Sequence, residues 1–264
     1  NYSNTSIKKR YIENIKDISK NISFKNNKIV KPQLVKISQI TFANSLNLFL
    51  LPFIVILFTF MGKSEISADI SIISGSILIL CQVFSANGRI ILVSNFNEKV
   101  FREFMSFRIL LSIFFLISFY IISYYFSFLT NHNNDLLVII ILLSWLNELN
   151  LIYLEIKKMF KSLLIYIFVM AILYLTVFYS IFIDNPNFTR EILKYNCIFY
   201  VSFLIYYYNF REKKIKKISL INLLANFKKL ALLSSISNII AVLIWRYSIY
   251  FTYDKKLAGI MIAA

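Results

Sequence analysis

Residues 229–264 read KLALLSSISNIIAVLIWRYSIYFTYDKKLAGIMIAA, and this stretch sets the plan of the chain. A basic lead-in (Lys228, Lys229) opens an apolar span that carries Arg246. The span ends at a polar break, Asp254-Lys255-Lys256, and a new apolar run starts at Leu257. The first span has the same layout: a basic lead-in closing at Lys36, an apolar stretch through Phe60, a break at Lys63–Glu65, then small residues. A shift of 191 residues lays Asn47 on Asn238, Phe60 on Phe251 and Lys63-Ser64-Glu65 on Asp254-Lys255-Lys256. The repeat is one of layout rather than of letters, and it predicts one six-helix unit followed by the opening of a second.

Composition agrees with that plan. Hydrophobic residues make up 58% of the chain and aromatics 17%, with only four glycines and three prolines to build turns. Mean hydropathy is +0.67, far from a soluble domain. Apolar runs recur that are long enough to cross ~30 Å of hydrocarbon as helices. In lipid the backbone must satisfy its own hydrogen bonds, which makes these runs helical. The fold class predicted is an all-α polytopic membrane protein of about seven spans and a stub.

A net charge of +16 in a soluble chain would point to nucleic acid. Here the charges sit between the spans, so topology explains them and no nucleic-acid partner is expected. Residues 1–42 carry nine Lys or Arg against two acids, with Ile12, Ile15, Ile18 and Ile22 at helical spacing. They read as a basic cytoplasmic segment, a surface-lying amphipathic helix or a basic tail. Residues 43–209 hold the first six spans, 210–229 a basic connector, and 230–264 the start of a second lobe. The chain begins without methionine and stops inside a new apolar run, the pattern expected of a fragment. With Arg108 assigned to the connector before a third span at Ile109, the tail and alternate connectors carry 23 Lys and Arg, and the remaining connectors five. That split predicts a cytoplasmic N-terminus.

No phosphate-cradling glycine loop, HExxH or paired carboxylates at helical spacing occur within a span, and the sole histidine, His132, lies in a short turn. An enzyme is not expected. Cys81 and Cys197 lack metal-ligand spacing, so neither a metal nor a cofactor is expected. Two charges stand inside spans, where an unpaired charge costs about 2.5–3.5 kcal/mol. Glu148, with Ser144 and Trp145 on the same face, suits a coupling ion, H⁺ or Na⁺. Arg246 suits an anionic group such as a phosphate. Asn44, Asn47 and Gln82, with Asn238 as the counterpart of Asn47, are the candidate polar contacts to a substrate.

Three stretches carry a family resemblance: Gly62-Lys63-Ser64-Glu65-Ile66-Ser67 after the first span, Asn87-Gly88-Arg89 after the second, and Tyr253-Asp254-Lys255-Lys256-Leu257-Ala258-Gly259 after the seventh. With the cytoplasmic start, they resemble the N-terminal part of an O-antigen-type polysaccharide flippase of the multidrug/oligosaccharidyl-lipid/polysaccharide (MOP) exporter superfamily, over about residues 33–264. The resemblance implies a MOP/MATE-like bundle, its first six-helix lobe plus the start of the second, in a bacterial inner membrane. It also implies alternating access around a central cavity, with an undecaprenyl-pyrophosphate-linked glycan as substrate and an ion gradient as drive. Arg246, and Arg89 at the inner rim, would then receive the pyrophosphate. A MATE-like drug/cation antiporter would favour acidic cavity residues. A membrane-embedded polysaccharide polymerase or glycan-modifying protein would need a long outer loop or a His/Asp/Arg cluster.

Overall fold

The computed structural model describes residues 27–85, 92–93, 97–125, 134–209 and 229–263. Among them the regular elements are helices: α1 (Asn27–Phe60), α2 (Ser64–Ser85), α3 (Glu98–Tyr125), α4 (Asn134–Ile156), α5 (Phe160–Phe182), α6 (Pro186–Asn209), α7 (Lys229–Thr252) and α8 (Lys255–Ala263). Residues 1–39 and 40–264 are separate units, and the packing below is that of the second. His132, Arg89, the N-terminal isoleucines and the connector at 210–228 lie outside the described residues.

Among the described residues, five helices are long and apolar enough to cross a bilayer: Val35–Phe60 of α1, Ser64–Cys81 of α2, and α3, α4 and α5. This is a multi-pass α-helical membrane protein. Expected spans six and seven fall below that measure. α6 is diluted by five tyrosines and by Arg190, Glu191 and Lys194. α7 contributes the shorter apolar stretch Ile240–Thr252.

Local chemistry sets the helix ends. At the end of α1, Gly62 adopts φ 75°, and the Gly62 and Lys63 amides turn back to the Thr59 and Phe58 carbonyls. This is the left-handed cap that glycine takes at least cost. Lys158 after α4 and Asp184 after α5 take the same left-handed form at φ 55° and 59°. α6 starts on Asn185, whose side-chain oxygen accepts the Asn187 and Phe188 amides, with Pro186 at the first helical position.

α4 is the axis of the unit. Fifteen of its 23 residues are buried, more than one face can supply. It packs on α2, α3, α5 and α6, and α1 reaches it through side chains. α2 is enclosed as well, by α4, α7 and α8. α3 and α5 are peripheral, presenting rows such as Ile113, Ile117, Ile121 and Ile165, Phe168, Leu175 outward, where hydrocarbon is the natural neighbour.

The two ends of the bundle differ in charge. At the end holding Lys63, Asp184 and Asp254, most cations are neutralised. Lys63 pairs with Asp184, Arg190 with Asp135, Lys194 with Glu191 and Lys255 with Asp69. At the opposite end Lys157 of the α4–α5 turn bridges to Glu98 of α3 at 3.3 Å.

One expectation is corrected here. The third helix begins at Glu98 rather than at Ile109, so Arg108 lies ten residues inside it and is fully buried instead of belonging to a connector. Glu98-Lys99-Val100-Phe101-Arg102 alternates charge with apolar residues, which disguises a helical first turn as a loop. The buried Phe101 and Phe104 show where its inner face starts.

Small residues let α8 close onto α2. A methyl group on Gly259 would collide with the backbone carbonyl of Ser64, which has no flexible end to move aside. Gly259→Ala is therefore expected to destabilise the α2–α8 contact by about 1–3 kcal/mol. Thermal unfolding of the two proteins in one detergent measures it.

Candidate functional site

Glu148 and Arg108 meet in the middle of the packed helices. Arg108 Nη1 donates to Glu148 Oε2 at 2.8 Å and to the Trp145 carbonyl at 2.7 Å. Its guanidinium carbon stands 5.0 Å from the centre of the Trp145 ring. Ser85 Oγ of α2 completes the cluster, donating to the same carboxylate oxygen at 3.3 Å and accepting the Trp145 indole N–H. Three helices thus converge on one carboxylate. Arg108 Nε and Nη2 are buried with no hydrogen-bond partner among the described residues.

A cavity of about 160 Å³ opens beside the pair, lined by Leu48, Leu78, Cys81, Ser85, Ser144, Trp145 and Glu148. Among the described residues, Glu148 is the only charged one on its wall. Arg108 lies behind it with no exposed side-chain surface, while the Glu148 side chain keeps 14%. Solutes in the cavity therefore meet the carboxylate before the guanidinium.

The expected polar contacts divide into several cases. The Asn47 amide donates to the Ser144 carbonyl at 2.9 Å and accepts the Tyr166 hydroxyl at 2.6 Å, so it ties α1 to α4 and α5. Asn147, outside the expected set, does the same between α4 and α6 through the Tyr200 carbonyl. In hydrocarbon such bonds replace the solvent-driven packing of soluble helices. Asn44 bonds back to Ile40 of its own helix, leaving a buried Oδ1 unpartnered among the described residues. Gln82 and Asn238 fall on α2 and α7, but their side chains lie outside the description.

Arg246 does not approach Glu148. It leaves α7 toward α2, where its guanidinium covers Gly75 and Nη1 lies 3.4 Å from the Ser71 carbonyl. That bond is long, and Nε is buried without a partner among the described residues. No carboxylate pairs with it among those residues. Gly75 and Ser85 are ten residues apart, so the two sites are separated by about 15 Å along α2. They nonetheless share one side of it, because Ser71, Gly75, Leu78, Gln82 and Ser85 follow at alternating spacings of three and four.

No known family, curated protein or solved structure matches this chain. Its chemistry therefore rests on its own residues. Sequence reasoning found Glu148 and Arg246 from their positions in apolar runs but missed Arg108. The available signal was that Glu148 needs a cation at membrane depth, and Arg108 abuts the apolar run from Ile109.

Removing one member of a buried pair strands the other, at a cost of about 3–5 kcal/mol, whereas replacing both with apolar residues is often near neutral. Arg108→Leu and Glu148→Leu are each expected to destabilise strongly. The double replacement should be closer to the parent than either single. Unfolding of all four proteins in one detergent closes this cycle.

Proposed function

We propose that this chain belongs to a membrane transporter that flips a polyprenyl-pyrophosphate-linked glycan across a bacterial inner membrane by alternating access, with Arg246 receiving the anionic group. The observation that carries this reading is the electrostatic state of Arg246. Arg108 and most basic residues at the Lys63 end have carboxylate partners, while Arg246 has a single long bond to a backbone carbonyl. A guanidinium held among apolar helices with spare donors is suited to a phosphate or pyrophosphate, which it can bind by parallel charge-assisted bonds. Ser71 and Gly75 of α2, which the guanidinium faces, are both small.

The remaining parts of the proposal fit the same frame. Seven spans would include α6 and α7, with the basic end of the bundle and the N-terminus cytoplasmic. Helices α1–α6 would form the first lobe of a MOP-type bundle, and α7 and α8 would open the second. The glycan head would cross along the α2 side facing Arg246, and the tail would stay in lipid against apolar helices such as α3.

A drug/cation antiporter is the second reading. It draws on Glu148 as the one charge among the described residues that line the cavity beside α2. Arg108 neutralises that carboxylate, which weighs against an organic cation as the cargo.

Arg246 decides between the two. In proteoliposomes holding the parent protein and a fluorescent polyprenyl-pyrophosphate glycan, flipping should fall at least tenfold for Arg246→Ala and recover in part for Arg246→Lys. Equal flipping by parent and Arg246→Ala, or drug efflux in place of flipping, would reject the flippase reading. Detergent extraction and gel filtration would check that the variants insert and fold.

A further inference from the structure

Helix α7 packs on α2 and α3 packs on α4, and the space between α3 and α7 over α2 is a cavity of about 360 Å³. Its floor reaches from Ile72 to Leu80 of α2. One wall holds Phe115 and Ile122 of α3, and the other Tyr247 and Phe251 of α7. Ile122 and Phe251 are exposed, so the rim opens sideways, where lipid is the neighbour. We propose that this groove binds a zwitterionic phospholipid, with one acyl chain between α3 and α7 and the headgroup at the Asp254-Lys255-Lys256 turn.

The interior suits hydrocarbon. Its hydroxyls are largely engaged within the protein: Ser76 donates to the Ile72 carbonyl, the Tyr247 hydroxyl lies 3.4 Å from Ser76 Oγ, and the Tyr250 hydroxyl donates to Asp69 at 2.7 Å. A glycan or other polar solute would find few partners there. An apolar wall left empty forfeits dispersion contacts, and a chain restores them. Ile72 and Leu80 are eight residues apart, a rise of about 12 Å along α2. That is most of one hydrocarbon leaflet, about half of the ~30 Å core. α2 starts and α7 ends at the Lys63 end, so the groove runs from that boundary towards mid-depth, as one acyl chain does.

The mouth at that end carries both signs of charge. Lys255 Nζ lies 3.2 Å from an oxygen of the buried Asp69 and 6.0 Å from the ring centre of Tyr250, itself a lining residue. The Lys255 side chain stays half exposed, and an ammonium has three donors, so it can serve a phosphate oxygen as well. Asp254 and Lys256 beside it are exposed. Two lysines against Asp69 and Asp254 leave no net charge, which matches a headgroup bearing phosphate and ammonium together better than a purely anionic one. Arg246 is not among the described residues lining the groove, so this site stands apart from the transport reading.

The test is lipid retention. The protein is reconstituted in bilayers of equal phosphatidylethanolamine and phosphatidylglycerol, extracted in mild detergent and weighed intact by native mass spectrometry. One phosphatidylethanolamine per chain is expected, retained at least tenfold over phosphatidylglycerol. Ser118→Trp and Ile122→Trp, which fill the groove from the peripheral α3 wall, should each cut that retention at least tenfold. Ile113→Trp, on the exposed side of the same helix, should leave it unchanged. Lys255→Gln keeps a donor to Asp69 but loses the charge, and should abolish the preference between the two lipids. Arg246→Ala should retain lipid as the parent does, so the result is independent of the flipping assay. Equal retention of both lipids by the parent would overturn the proposal. So would fillers that act no more strongly than Ile113→Trp, or displacement of the phospholipid by an equal amount of polyprenyl phosphate.

Discussion

An arginine and a glutamate placed at membrane depth on different helices constrain everything around them. Each alone would be unaffordable in hydrocarbon, so α3 and α4 must bring Arg108 and Glu148 together, at the 2.8 Å observed. This fixes the relative sliding of the two helices, because a shift of one turn would strand both charges. The exposed Lys157–Glu98 bridge joins the end of α4 to the start of α3 in the same register. Trp145, one turn before Glu148, is then held under the guanidinium, and Ser85 brings α2 to the same point.

From that point the other contacts follow a consistent rule. In a soluble core, apolar side chains would drive the helices together. In lipid, the apolar surface is equally satisfied outside, and polar side chains supply the specificity. Asn47 and Asn147 serve this purpose one turn apart along α4, each donating to a carbonyl of a neighbouring helix. Tyr166 and Tyr174 of α5 return hydroxyls to α1. These residues tie the helices together, while Glu148 lines a cavity and Arg246 lies against small residues of α2.

The cations at the Lys63 end are mostly matched by nearby carboxylates, and at the opposite end Lys157 bridges to Glu98. Surface pairs of this kind add little stability, about 0–1 kcal/mol each. Their effect is to remove free positive charge from one face. Arg246 stands apart as a cation near that face without such a partner among the described residues.

The sequence by itself determined the all-helical, multi-pass character, because long apolar runs with few turn residues have one stable answer in lipid. It also marked Glu148 and Arg246, since a charge inside an apolar run is visible without knowing its neighbours. Periodicity placed helix interiors better than helix starts. The alternating charges after Glu98 concealed the first turns of α3 and kept Arg108 in a loop. Only the tertiary structure decided that Glu148 belongs to Arg108 rather than to Arg246, that Asn47 ties helices together, and that Ser85 and Gly75 lie along one side of α2. Pairing across helices depends on their relative rotation and depth, and these are set by many contacts between residues far apart in sequence. Glu148 and Arg108 are separated by 40 residues and meet because two helices run antiparallel at one particular register.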